Sequence, residues 1–186
     1  MILTVLVVDN LSPFTPQILD CLSQLQIDCA SIKYSDIFEQ DLQAADRIIL
    51  SGRRKNDSAT NSANSKVARY CYKNDLPLLG ICYGAEIIAQ TFGGSLRRMP
   101  RPIRGNLEIR PDRPNPITGD KKSISVFESH GLCVARLPEE FDRLAGSEYC
   151  PFEIFAHRAK KIFGLQFHPE KSGQDGLDVI ERFVKL

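Results

Sequence analysis

A chain of 186 residues, 42% hydrophobic and 25% charged, carries enough apolar material for one well-buried core, and no low-complexity tract interrupts it. Its 24 basic and 23 acidic residues leave a net charge of +1, which removes any global electrostatic reason to expect a nucleic acid or an anionic membrane as partner. The six cysteines, at positions 21, 29, 71, 82, 133 and 150, show neither CxxC nor zinc-like spacing, so no metal is expected. Without an export signal they read as reduced thiols of a cytoplasmic protein.

The elements follow in chain order. Residues 3–8 are a continuous β-branched run, too short to span a bilayer, and predict a strand covered on both faces. After a Ser-Pro-Phe-Thr-Pro turn, Ile18, Leu22 and Leu25 recur at helical spacing with Cys21 on the same stripe. Strands are expected at 29–33 and 47–52, then a polar loop over 53–65 running into a helix that ends near Asn74. Residues 77–82 predict a fourth strand and 83–92 a helix closed by Gly93-Gly94. This alternation argues for a parallel sheet with helices on both faces. In the second half, strands are expected at 106–110, 123–127, 132–137, 152–157 and 162–167, separated by short Pro or Gly turns. A last helix over 174–185 places Leu177, Ile180, Phe183 and Val184 on one side. The expectation is one α/β domain over 1–186, a mostly parallel central sheet flanked by helices, with an antiparallel insertion.

Two short segments carry chemistry. Gly80-Ile81-Cys82-Tyr83-Gly84 sits between an apolar run and a helical pattern, the strand–turn–helix setting of a nucleophile elbow with cysteine at its tip. Glycines two residues either side answer to crowding at a sharp turn. The thiol lands at a helix N-terminus, whose dipole favours the thiolate, and the Tyr83 N–H can face a developing oxyanion. Further on, Gly164-Leu165-Gln166-Phe167-His168-Pro169-Glu170 puts a histidine and a carboxylate at i and i+2 after an apolar strand. In extended backbone these project to one side. Glu170 then fixes the imidazole tautomer and leaves the other nitrogen for a thiol, the logic of a Cys-His-acid triad.

On these motifs the chain resembles the class I glutamine amidotransferases over essentially its whole length. Their signature is Gly-Ile-Cys-x-Gly followed by Gln-Phe-His-Pro-Glu, and both are present in that order. The stretches Val126-Phe127-Glu128-Ser129-His130-Gly131 and Ser147-Glu148-Tyr149-Cys150-Pro151 are most similar to the glutaminase subunits that serve GMP synthesis. The resemblance implies a flavodoxin-like architecture and glutamine as substrate, with no cofactor. Cys82 would be the nucleophile, His168 the proton shuttle and Glu170 its orienting group. Backbone groups of Gly52, Arg53 and Tyr83 would form the oxyanion hole, and Glu86, Ser129 and His130 would hold substrate. It also implies a separate ATP-dependent synthetase subunit that consumes the ammonia, since no motif for one is present here. Alternatives are the glutaminase of anthranilate or aminodeoxychorismate formation, another elbow-type cysteine hydrolase, or a regulatory homologue without turnover.

Two positions depart from the family pattern. Ser51-Gly52-Arg53-Arg54-Lys55 stands where Ser-Gly-Gly-Pro is common, and arginine is disfavoured if that loop needs a positive φ. The oxyanion hole is therefore expected to be misformed until a ligand or partner settles it. Glu86 stands where glutamine is usual, and a carboxylate accepts but cannot donate. Arg53-Arg54-Lys55 and the group Arg97, Arg98, Arg101 and Arg104 read as solvated loops in preference to a docking surface. Residues 118–123 echo the end of a phosphate-binding loop but lack its upstream glycine and following helix, so that reading is rejected.

Overall fold

The computed structural model describes residues 3–54 and 57–186, so Lys55 of the basic stretch lies outside the described residues. The elements run β1 (Thr4–Asn10), α1 (Thr15–Gln24), β2 (Asp28–Lys33), α2 (Glu39–Gln43), β3 (Arg47–Arg53), α3 (Ser58–Lys73), β4 (Leu78–Ile81), α4 (Tyr83–Thr91), β5 (Ser95–Pro111), β6 (Ile124–Arg136), β7 (Phe141–Gly146), β8 (Ile154–His157), β9 (Ile162–Leu165) and α5 (Gly173–Val184). The strands order as β2-β1-β3-β4-β9-β8-β7-β5-β6. The first five in that order are parallel neighbours, and from β9 onward the pairing turns antiparallel. The expected α/β architecture with an antiparallel second half is therefore the observed one.

Alternation along the central strands divides the core in two. Val5, Val7, Ile49 and Leu79 point to the face covered by α1 and α5, where Ile18, Leu22, Val179, Ile180 and Phe183 meet them. Leu6, Val8, Ile48, Leu50 and Leu78 point to the opposite face, against Val67, Ala68 and Cys71 of α3 and Ala85 and Ile88 of α4. Burial on both sides is why these strands read as continuous apolar runs.

Several expected boundaries change. The polar stretch expected as loop is helical from Ser58, because Asp57 caps the helix by accepting from the Thr60 N–H at 2.8 Å. Thr60 and Asn64 are buried there, so the first half of the stripe facing the sheet is polar and escapes a hydrophobic-period test. The short α2 and the strand β7 have no counterpart among the expected elements. Residues 123–127 and 132–137 belong to one long strand, β6, whose partner β5 begins at Ser95 and so includes the arginine group. Pro100, Pro102 and Gly105 hide that strand in the sequence; a register shift between Arg98 and Ile103 accommodates the two prolines, and Gly105 pairs with Glu128 in register. In α5 the buried face uses Val179 rather than the expected Leu177, which is only half-buried. No described helix is long and apolar enough to cross a membrane.

The tightest approach in the sheet lies beside the strand that leads to His168. A Cβ on Gly164 would stand 2.1 Å from Phe155 Cζ, and Phe155 is fully buried. Gly164→Ala is expected to cost about 1–3 kcal/mol through overpacking, read as a lower denaturant midpoint with an unchanged slope; a wild-type midpoint would show that β8 and β9 are not so closely apposed.

Candidate active site

The turn after β4 is built by exclusion. A Cβ on Gly80 would lie 2.4 Å from the carbonyl carbon and oxygen of Gly84, and one on Gly84 would lie 2.4 Å from the Leu50 carbonyl oxygen. No larger residue fits at either place without moving backbone. Between them Cys82 takes φ +52°, ψ −106°, a left-handed region that non-glycine residues avoid. Its N–H donates to the Leu165 carbonyl at 2.7 Å, so the elbow is tied to the end of β9. Cys82 precedes the first turn of α4, where the Tyr83 N–H favours the charged form of its sulfur.

β9 delivers the second half of the site to the same end of the sheet, since Ile81 pairs with Leu165 in parallel register. The chain beyond it is not extended as expected. Pro169–Lys171 form one 3-10 turn, and that turn curls Glu170 back so that its Oε1 lies 2.8 Å from His168 Nδ1. The imidazole is also gripped edge-on by Phe14, with ring centroids 4.9 Å apart. The backbone of His168 is clamped as well: its N–H donates to the Phe127 carbonyl at 2.9 Å, and its carbonyl accepts from Ser172 Oγ at 2.6 Å. Gly52 closes the group from β3. A Cβ there would stand 3.1 Å from His168 Cε1, so Gly52 lies directly against the ring. Cys82, Tyr83, Gly52, His168 and Glu170 are thus brought together from three strand ends.

Comparison with known proteins identifies the family. Residues 6–186 match the family model described as glutamine amidotransferase class-I. The chain belongs to the class I glutamine amidotransferases. It is 32% identical over 186 residues to a Thermoplasma acidophilum protein named as one subunit of a glutamine-hydrolyzing GMP synthase, covering 99% of this chain and 92% of that one. It is 28% identical to a longer protein of Aliivibrio fischeri named glutamine-hydrolyzing GMP synthase, of which it spans only 35%. A solved Thermoplasma acidophilum structure, provisionally described as a GMP synthase subunit, superposes with a TM-score of 0.89 at 30% identity, covering 100% of this chain and 94% of that one.

The two departures from the amidotransferase pattern meet in space. Arg53 ends β3 without positive φ, so the expected backbone strain is absent. Its side chain is drawn inward over the Tyr83 ring, 4.0 Å from the centroid, and donates to Asn61 Oδ1 at 3.0 Å. Tyr83 OH donates to the same oxygen at 2.9 Å. Arg53 Nη2 also lies 3.9 Å from Glu86 Oε2, with both side chains largely buried, and Gln166 Nε2 reaches the other Glu86 oxygen at 3.4 Å. Arg53 is therefore part of the site's wall and not a solvated loop residue. Arg97, Arg98, Arg101 and Arg104 are exposed along β5, on a strand and not on a loop.

His130 faces the cluster while the Ser129 side chain lies on the other face of β6. His130 is held at both nitrogens, Nδ1 by the Leu132 carbonyl at 2.7 Å and Nε2 by Glu128 Oε2 at 2.9 Å. Glu128 and Glu153, both fully buried behind the site, are not singled out by the sequence motifs. The available signal is the carboxylate two residues from His130, which mirrors Glu170 beside His168. Among the described residues, no group of three or more His, Cys, Asp and Glu side chains is arranged to hold a metal.

These acids set the state of the thiol. Burial raises the Cys82 pKa well above its ordinary value, and the charges of Glu86, Glu128 and Glu170 push in the same direction. The N–H of Tyr83 opposes them and loses. The expected thiolate preference at the helix end is thus overridden, and Cys82 rests as a thiol. Burial also raises the Glu86 pKa, against the pull of Arg53. Because Glu86 is the foremost of the opposing charges, Glu86→Gln is expected to move the pH of half-maximal iodoacetamide labelling at Cys82 downward, followed by mass spectrometry of the Cys82 peptide. An unchanged or higher midpoint would mean that Glu86 does not act on the sulfur.

Proposed function

We propose that the chain hydrolyses the side-chain amide of glutamine through Cys82, His168 and Glu170 and passes the ammonia to a separate synthetase subunit. The observation that carries this reading is the parallel pairing of β4 with β9, which sets the Cys82 elbow and the His168–Glu170 pair at one sheet end. With Nδ1 engaged by Glu170, His168 keeps Nε2 for the thiol. In the proposed sequence Nε2 takes the thiol proton as sulfur adds to the amide carbon. It then returns that proton to the departing nitrogen, and ammonia leaves behind a glutamyl thioester. Water attacks the thioester with His168 as base, releasing glutamate and restoring the thiol. The negative oxygen formed at each addition would be met by the backbone N–H groups of Tyr83 and the Gly52–Arg53 segment. Glu86, Ser129 and His130 would form the subsite for the rest of the glutamine.

A resting thiol suits this order of events, since the proton leaves only as the substrate is attacked. Cys82 is 8% exposed and His168 3%. A site so closed supports activity that depends on a partner, because something must widen the approach past Arg53, Tyr83 and Phe14. The acceptor we propose is xanthosine monophosphate, converted to GMP by an ATP-dependent synthetase. This rests on the similarity to relatives named as one subunit of a glutamine-hydrolyzing GMP synthase, and on a longer relative of which this chain spans about a third. Six free thiols support a reducing, cytoplasmic setting.

Mixing this chain with a GMP synthetase subunit, ATP, xanthosine monophosphate and glutamine is expected to yield GMP. Cys82→Ala is expected to abolish the glutamine-dependent rate while ammonium salts still support it. Unchanged GMP formation from glutamine by Cys82→Ala would overturn the reading, and activity only with a different synthase would redirect the acceptor.

A further inference from the structure

Behind the thiol lies a row of acids that the reaction does not use. Glu128 gives Oε2 to His130 at 2.9 Å and leaves Oε1 buried without a donor. Glu153, just before β8, accepts from Ser147 Oγ at 2.6 Å through Oε1 and leaves Oε2 buried without a donor. Glu128 stands near enough to Glu153 for its charge to raise the Glu153 pKa, and one proton between the two orphaned oxygens would give each the partner it lacks. Hydrogen-bond accounting then sets the whole cluster. The Leu132 carbonyl can only accept, so His130 Nδ1 carries a proton; a second lies between Nε2 and Glu128, and a third between the two carboxyls. Three protons on one imidazole and two carboxyls leave the buried group neutral, the condition its burial requires. Both nitrogens of His130 are consumed, so this ring cannot act as base toward Cys82, although Glu128 lies close enough to oppose the thiolate.

The same cluster fixes the wall of the site. β6 is tied to the catalytic turn by the His168 N–H on the Phe127 carbonyl and by Ser172 Oγ, which accepts from the Phe127 N–H at 2.9 Å. On its other side Glu128 faces Glu153, which Ser147 Oγ holds on the β7–β8 side. Ser129 and His130, which follow directly and of which His130 is bonded to Glu128, are those assigned above to glutamine. We propose that Glu128 and Glu153 are positioning residues that share one proton, and that this proton holds the Ser129–His130 segment in its substrate-binding form. The inference rests on the glutaminase reading for its substrate, but not for the proton.

Loss of that proton places two carboxylates face to face. The groups facing Glu153 are Glu128 and, through it, His130 on β6; Ser147 and Cys150 beyond β7, with Cys133 of β6 against Cys150; and Gln166, whose N–H donates to the Glu153 carbonyl, after β9. None is a cation placed on the Glu128–Glu153 pair other than His130, already committed to Glu128. Burial first, and the Glu128 charge second, raise the Glu153 pKa to about 8, so the proton is lost at mildly alkaline pH.

Glu153→Gln tests this, because its amide keeps a donor for Glu128 and an acceptor for Ser147 at every pH. With the full chain and its synthetase, the wild-type KM for glutamine is expected to rise relative to that of Glu153→Gln, by about tenfold one pH unit above the midpoint, with kcat alike in both. The ratio of the two KM values cancels the titration of glutamine itself. Glu153→Ala is expected to show a raised KM at all pH values. A matching KM rise in Glu153→Gln overturns the proposal. Infrared difference spectra of the chain alone, between about pH 7 and about pH 9, read the proton without turnover. A protonated-carboxyl band lost on alkalinisation in wild type and missing from Glu153→Gln supports the shared proton, and its absence from wild type overturns it. If that band is present and no ammonia is released under any condition, the glutaminase reading fails and the proton assignment stands.

Discussion

The site depends on a backbone contact that leaves no room for a side chain. Gly80 and Gly84 approach so closely that a β-carbon on either would strike main chain, and that closeness forces Cys82 into the left-handed region between them. The strain is over-determined by the sheet: the Cys82 N–H is held by the Leu165 carbonyl, and β4 and β9 are paired along their length. An elbow in this form presents the sulfur at the end of the strand layer, beside whatever follows β9. His168 and Glu170 follow it. The order of the central strands, in which β9 is inserted next to β4, is therefore what converts two separated motifs into one site.

Around the elbow the electrostatics run against a simple account of an activated cysteine. Four buried carboxyl groups, Glu86, Glu128, Glu153 and Glu170, lie behind or beside the thiol, and three of them oppose its ionisation. Each has its own answer to burial. Glu170 and Glu128 face histidines, Glu86 faces Arg53, and Glu153 faces a proton. This pairing keeps the pocket close to neutral while leaving the thiol protonated until a substrate arrives. It also explains why the two unusual residues occur together. Arg53 in place of a small loop residue supplies the cation that a carboxylate at position 86 needs, and the Tyr83 ring gives its guanidinium a face to lie on.

The long β5–β6 ribbon and α3 illustrate what a period test misses. β5 contains Pro100, Pro102 and Gly105, and α3 turns the polar residues Thr60 and Asn64 toward the sheet. In each case the local pattern argues for loop, and the element exists because tertiary partners satisfy it. Asn64 Nδ2 donates to Asn10 Oδ1 at 2.6 Å, and β6 supplies a partner strand across the register shift.

Readable from the residues alone are the alternating parallel half of the fold, the cysteine at the elbow, and the histidine–carboxylate pair after the last strand. These are encoded locally, by β-branched runs, by glycines at a crowded turn and by residues two apart. Legible only in the folded chain are the pairing of Arg53 with Glu86, the engagement of both His130 nitrogens, and the nearness of Glu128 to Glu153. Those facts depend on distances between residues 33, 2 and 25 positions apart in the chain, and on burial that makes an unpaired charge costly. A carboxylate in a sequence carries no mark of whether it will meet water, a cation or another carboxylate.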